Sequence, residues 1–277
     1  MSEVVKTINS VLSKYGVTEQ ITPEDITVTD VTVSDSAKGK QKLSDCIIEK
    51  IWKHVPSATV YHFTSRKNAE AIINSRIFRL QNIGMRIKED EISTFCKAHR
   101  LSDGYPEIVT PDIYFASFAT TPLNESEQEP LWRMFAPFDG VRITLEVEAS
   151  NHNFRRMRYQ NNPDEPVQLL ADLAGSIMQN HNRHFILTGI SRMCAFYLPG
   201  SSYACEHEMR MLYKRVDDFG PQPIGTGPLS YIEVPIGIDN GTGYNIRIVE
   251  ACSTTCPSMP SSIRFTHRPS RDLTSQR

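Results

Sequence analysis

A chain of 277 residues, 39% hydrophobic and 9% aromatic, can bury one sizeable core, so one catalytic-size domain with tails is the expected organisation. Its 30 Lys and Arg against 32 Asp and Glu leave a formal charge of -2, which excludes a global basic field that would draw it onto nucleic acid or anionic membrane. No apolar run approaches the roughly 18 residues of a membrane span, and "MSEVVKTINSVLSKYG" lacks a signal peptide's unbroken apolar core, so synthesis in a cytosol is expected.

In chain order, residues 1 to 45 combine a short amphipathic stretch (Val4, Val5, Ile8, Val11, Leu12) with "TPEDITVTDVTVSDSAKGKQK", which has few large apolar groups. The composition predicts a weakly ordered extension or a docking arm. From "LSDCIIEKIWKHV" a helical pattern begins, with Cys46, Ile47 and Ile51 on one side and Pro56 as its stop, so the compact domain is placed at 46 to 255. "SATVYHFTS" reads as a strand and "RKNAEAIINSRIF" as a helix capped by Thr64 or Ser65. Further strands are expected at "DIYFASFAT", "GVRITLEVE", "HEMRMLYKR", "LSYIEVPIGI" and "YNIRIVEAC", with helix from 166 to about 198 and a flexible tail over 256 to 277. Strands at both ends, helices between and no regular βαβ alternation predict an α+β fold.

The six cysteines (Cys46, Cys96, Cys194, Cys205, Cys252, Cys256) form no C-x-x-C pair and have no histidines at zinc-ligand spacing. Reduced thiols and no metal are expected. His181 and His184, read at i, i+3 on a helix, lack a third ligand, and Arg155, Arg156 and Arg158 in "NFRRMRYQ" suit either a solvated loop or a phosphate contact.

Three strands carry candidate chemistry. In "YHFTS", alternation puts Tyr61 and Phe63 on one face and Val60, His62 and Thr64 on the other, so His62 and Thr64 either enter a cleft together or serve as a strand-end histidine and a helix cap. In "IYFASFATT", Ser117 and Phe118 suit hydrogen bonding and stacking of a flat ring, or core packing; Trp132 and Phe135 follow at helical spacing. In "SSYACEHEMRMLYK", alternation sets Cys205, His207, Met209 and Met211 against Glu206, Glu208, Arg210 and Leu212. The two carboxylates are surface charges if their face meets solvent, and an acid/base or cation-stabilising pair if it lines a cleft.

The order of these strands resembles the ADP-ribosyltransferase superfamily, in which a first strand carries His or Arg, a second a Ser or Tyr segment, and a third the catalytic Glu, often in E-x-E. "YHFTSRKNAEAIINSRIFRL" looks like the opening of several bacterial ADP-ribosylating toxins. "YFASFATT", "LWRMFAPFDGVRITLEV" and "EHEMRMLYK" also resemble an uncharacterised bacterial domain family with a Phe-Ser strand, a W-x-x-[FY]-A-x-x-x-G-[VI] segment and an E-x-E-[WM]-R strand. The resemblance covers roughly residues 58 to 250.

It implies a split β-sheet core with flanking helices and a mono-ADP-ribosyltransferase using NAD as co-substrate. Glu208 would be the catalytic glutamate, and Glu206 the acid that assists the acceptor. His62, Tyr61, Thr64, Ser117 and Phe118 would hold NAD; "SFATT" departs from Ser-Thr-Ser, and a Tyr subclass would use Tyr114 instead. The implied role is a bacterial toxin or effector, made in a bacterial cytoplasm and secreted towards a target protein such as ubiquitin or a GTPase. A nucleic-acid-modifying transferase and a non-catalytic binding module on the same fold are the alternative expectations.

Overall fold

The amphipathic start of the chain forms helix α1 (Ser2–Lys14), with Val4, Val5, Ile8, Val11 and Leu12 all buried. At about 1.5–3 kcal/mol for each fully buried aliphatic side chain, this stripe anchors the segment, and it packs along a later helix, α6 (Glu165–His181). The chain continues through β1 (Ile26–Val28) and β2 (Thr32–Asp35), which pair with β9 (His184–Ile186) in a three-stranded sheet. The weakly ordered extension expected over 1 to 45 is therefore corrected: residues 2–36 are built into a core. In this computed structural model the described residues are 2–36, 41–85, 91–99, 110–120, 125–160, 165–198, 207–215, 220–253 and 263–264.

The remaining helices are α2 (Lys42–Ile51), α3 (Arg66–Ser75), α4 (Glu91–Ala98), α5 (Glu125–Phe135) and α7 (Ile190–Ala195). The remaining strands are β3 (Ser57–Thr64), β4 (Ile77–Asn82), β5 (Ile113–Ala119), β6 (Val141–Ala149), β7 (Phe154–Arg156), β8 (Arg158–Tyr159) and β10 (Tyr197–Leu198). β11 (Glu208–Lys214), β12 (Tyr231–Pro235), β13 (Tyr244–Ser253) and β14 (Ile263–Arg264) complete the set. The fold is α+β, dominated by a nine-stranded sheet in which every pairing is antiparallel.

That sheet divides at β5. On one side β5 pairs with β11 along its whole length. On the other, pairing with β4 stops at Phe115 and pairing with β3 is confined to Tyr61 opposite Ala119, so among the described residues no strand neighbours Ala116–Phe118 there. One half (β12, β4, β5, β11, β7) and the other (β3, β6, β13) enclose a shared core in which Phe78, Phe118, Met209 and Met211 meet Val60, Ile143, Leu145 and Ile246. The opposite face of β5 and β11 presents Phe115 and Leu212 to a second core built from the helices and the N-terminal segment.

Two elements differ from expectation. The helix over 66 onwards ends at Ser75, where Arg76 adopts a left-handed φ of 58° and turns the chain into β4. Phe78 and Leu80 alternate inward, and they make a strand of what reads as a helical continuation. The long helix from 166 to 198 is likewise interrupted: Asn182, at φ 52°, ends α6, and β9, α7 and β10 follow. Apart from 263–264, the flexible tail assigned to 256 to 277 lies outside the described residues.

Candidate active site

The gap in the sheet opens a cavity of about 830 Å³. β3 contributes Tyr61, His62, Phe63 and Thr64; β5 contributes Phe115 to Ala119; β11 contributes Glu208. α3 supplies the polar Asn68, Asn74 and Ser75, β4 supplies Phe78, Arg79 and Gln81, and α5 closes the outer side with Leu131 and Phe135. Its size falls within the roughly 300–1,000 Å³ usual for ligand pockets.

Register decides how these side chains are distributed. Tyr61 stands opposite Ala119, Ala119 opposite Glu208, and Ser117 opposite Arg210, so Tyr61, Ser117, Glu208 and Arg210 emerge on one face of the sheet. His62 and Phe118 emerge on the other. Because the gap passes between β3 and β4, Tyr61, Ser117 and Glu208 of the first set and His62 and Phe118 of the second line the same cavity.

On the inner side, the His62 ring sits edge-on to Phe78 at 5.0 Å and to Phe118 at 6.0 Å. Desolvation pushes its pKa down from 6.5 to about 4, opposed by a hydrogen bond with the Ser117 backbone. The imidazole is thus neutral at pH 7. Because the unfolded chain takes up a proton at the higher pH, the stability conferred by neutral His62 is full above about 6.5 and is lost as pH falls towards about 4. Thermal melts from pH 7 to pH 4 should show this acid loss in the wild type and a shallower one in His62→Asn.

Ser117 is half-buried, yet its hydroxyl oxygen is buried without a hydrogen-bond partner. Such a group costs stability unless something bonds to it; Ser117 lines the ligand-sized cavity, and its hydroxyl must turn to reach a ligand there. Ser117→Ala should therefore leave stability unchanged or slightly raised while weakening a ligand that uses the hydroxyl by about 1 kcal/mol, or roughly fivefold. Paired melting and ligand-titration experiments separate the two effects.

Glu208 is 5% exposed. Its Oε1 accepts from Arg210 Nε at 2.7 Å, and among the described residues no protein group bonds Oε2. The carboxylate therefore belongs to a buried wall and is not a surface charge, and the strand's alternation places it opposite Met209 and Met211, which fill the shared core. Glu206, its partner in E-x-E, lies outside the described residues.

The other candidates divide. Thr64 is buried and lines the cavity, while the neighbouring Ser65 caps α3 by accepting from the Asn68 N–H at 3.3 Å. Tyr61 lines the cavity beneath the Arg142 guanidinium, 5.2 Å from its ring centre. Tyr114 is corrected: alternation turns it into the shared core, its hydroxyl lies 3.5 Å from Ser230 Oγ, and it does not line the cavity. Arg155 is 2% exposed and bonds Glu49, the Trp52 carbonyl and the His152 carbonyl, so it is no phosphate ligand. His181 ends α6 and His184 begins β9, and no group of three or more His, Cys, Asp or Glu suited to a metal occurs among the described residues.

Sequence reading missed the β4 wall, Phe78, Arg79 and Gln81, whose period-two pattern was the available signal. Among the described residues no helix is long and apolar enough to cross a membrane. Comparisons of the chain with protein-family models, with curated proteins and with solved structures find no match.

Proposed function

We propose that the protein is a NAD-dependent mono-ADP-ribosyltransferase acting on a side chain of a target protein, as a bacterial toxin or effector, with an ADP-ribosyltransferase-like split sheet. The observation that carries this reading is the convergence on one cavity of Glu208, His62, Ser117 and Phe118, from the third, first and second of the strands that the sequence singles out. The aromatic lining, the unpartnered Ser117 hydroxyl once turned towards the cavity, and the Glu208 Oε2, which bonds no protein group among the described residues, suit a ligand with a flat ring and sugar hydroxyls.

Bound NAD would supply the nicotinamide–ribose bond whose cleavage releases neutral nicotinamide and leaves positive charge at the anomeric carbon. Glu208 holds a ribose hydroxyl and stabilises that charge, a preorganised electrostatic contribution of the kind worth on the order of 10²–10³ in rate. Phe118, with Tyr61, packs the ring, and Ser117 and neutral His62 position the sugar through hydrogen bonds. Glu206 accepts the proton of the incoming nucleophile; that part of the assignment rests on sequence alone. A protein acceptor is preferred over nucleic acid because the chain's net charge is -2.

The test is incubation with labelled NAD and a bacterial or eukaryotic lysate, with protein and nucleic-acid fractions resolved. A discrete labelled protein band is the expected result. Label in nucleic acid would move the acceptor class, and NAD binding without label or nicotinamide release would leave a binding module.

A further inference from the structure

We infer that Arg210 is the positioning residue of this site, acting on the ligand only through Glu208; the inference rests on the transferase reading above. Arg210 is 1% exposed and, unlike Glu208, does not line the cavity. It stands directly behind the carboxylate, donating from Nε to Oε1 at 2.7 Å and from Nη1 to the Ala195 carbonyl at 2.9 Å. Its guanidinium lies over Phe115, 4.8 Å from the ring centre.

The Glu208 main chain is fixed as well: its N–H donates to the Tyr159 hydroxyl at 3.0 Å and its carbonyl accepts from the Met157 N–H at 2.9 Å. With the backbone held and Oε1 engaged from behind, Oε2 is the oxygen left for a ligand. Stability alone does not account for such a pair, because apolar residues of equal volume commonly stabilise a core as well as or better than a buried ion pair. Orientation of the carboxylate does account for it. Lysine would not reproduce that hold, since an ammonium on a flexible stem cannot bond Glu208 from Nε while reaching Ala195 with a second, fixed donor.

The experiment compares wild type, Arg210→Lys, Arg210→Gln, Glu208→Gln and the two double variants by nicotinamide release and by calorimetric titration with NAD. Misplacing the carboxylate should lower kcat by about 10²-fold, while the Kd for NAD stays within about threefold because ground-state contacts persist. In the Glu208→Gln background the same substitutions should cost less than about threefold more, since residues acting as a unit are not additive. Near-wild-type kcat in a folded Arg210 variant, or a full additional loss in the Glu208→Gln background, would overturn the inference and leave the transferase reading intact. Loss of the native thermal transition in both single Arg210 variants would assign Arg210 to stability and overturn it too. A wild type that neither binds NAD nor releases nicotinamide would overturn both.

Discussion

Glu208→Gln should lower nicotinamide release by on the order of 10²–10³-fold in kcat while the protein stays folded. The side chain keeps its volume, and its amide oxygen can still accept from Arg210 Nε, which in the native protein lies 2.7 Å from Oε1. What disappears is the negative charge at the cavity wall. Glu208→Ala is expected to behave differently, because it also strips a guanidinium that is 1% exposed of its anionic partner. Breaking a buried pair from one side costs up to about 3–5 kcal/mol. Nicotinamide release measured alongside urea unfolding distinguishes these outcomes: the Gln variant should lose rate alone, and the Ala variant rate and stability together. Full activity in either would remove Glu208 from the chemistry.

The largest effect on stability is expected from Asp35→Ala, in the segment whose composition suggests a loose arm. Asp35 is 5% exposed. Its Oδ1 accepts from the Ser44 N–H at 3.2 Å, and its Oδ2 accepts from the Ser44 hydroxyl, from Thr188 Oγ1 at 2.9 Å and from the Thr188 N–H at 3.2 Å. The Gly189 N–H in turn donates to Ser44 Oγ at 3.0 Å. One carboxylate thus ties β2 to the first turn of α2 and to the entry of α7. Removing it leaves the two buried Ser44 donors without their acceptor at about 1–3 kcal/mol each and breaks two part-buried bonds from the exposed Thr188, so a net loss of about 3–5 kcal/mol is expected after relaxation. That is a large share of the roughly 5–15 kcal/mol by which a domain is stable. The urea midpoint should fall and protease cleavage within 2–36 should accelerate; an unchanged midpoint would mean that α1 alone holds the segment.

This network also explains what sequence reading could and could not reach. Period-two alternation found β3, β5, β6, β11, β12 and β13, because each of these strands has at least one face on an apolar core, and it paired Glu208 with Arg210 opposite Met209 and Met211. It did not find order in "TVTDVTVSD", where Val33 and Asp35 share the buried side and the decisive contacts come from Ser44, in the next helix, and from Thr188, far along the chain. The Phe78–Gln81 wall was hidden by the helix before it, whose end depends on Arg76 taking a left-handed conformation that few residues favour. Tyr114 and Ser117 stand three apart on β5, so alternation separates them: one goes to the core beside Ser230, the other to the gap. The gap itself depends on where β5 stops pairing with β4 and meets β3, a property of register that local pattern does not carry.

The crystal structure of the protein soaked with NAD tests the transferase site itself. The nicotinamide ring should lie against Phe118 in the cavity between β3 and β4, with a ribose hydroxyl within hydrogen-bond distance of the Glu208 carboxylate. Electron density for NAD elsewhere, or a cavity that stays without it at saturating NAD, would contradict it.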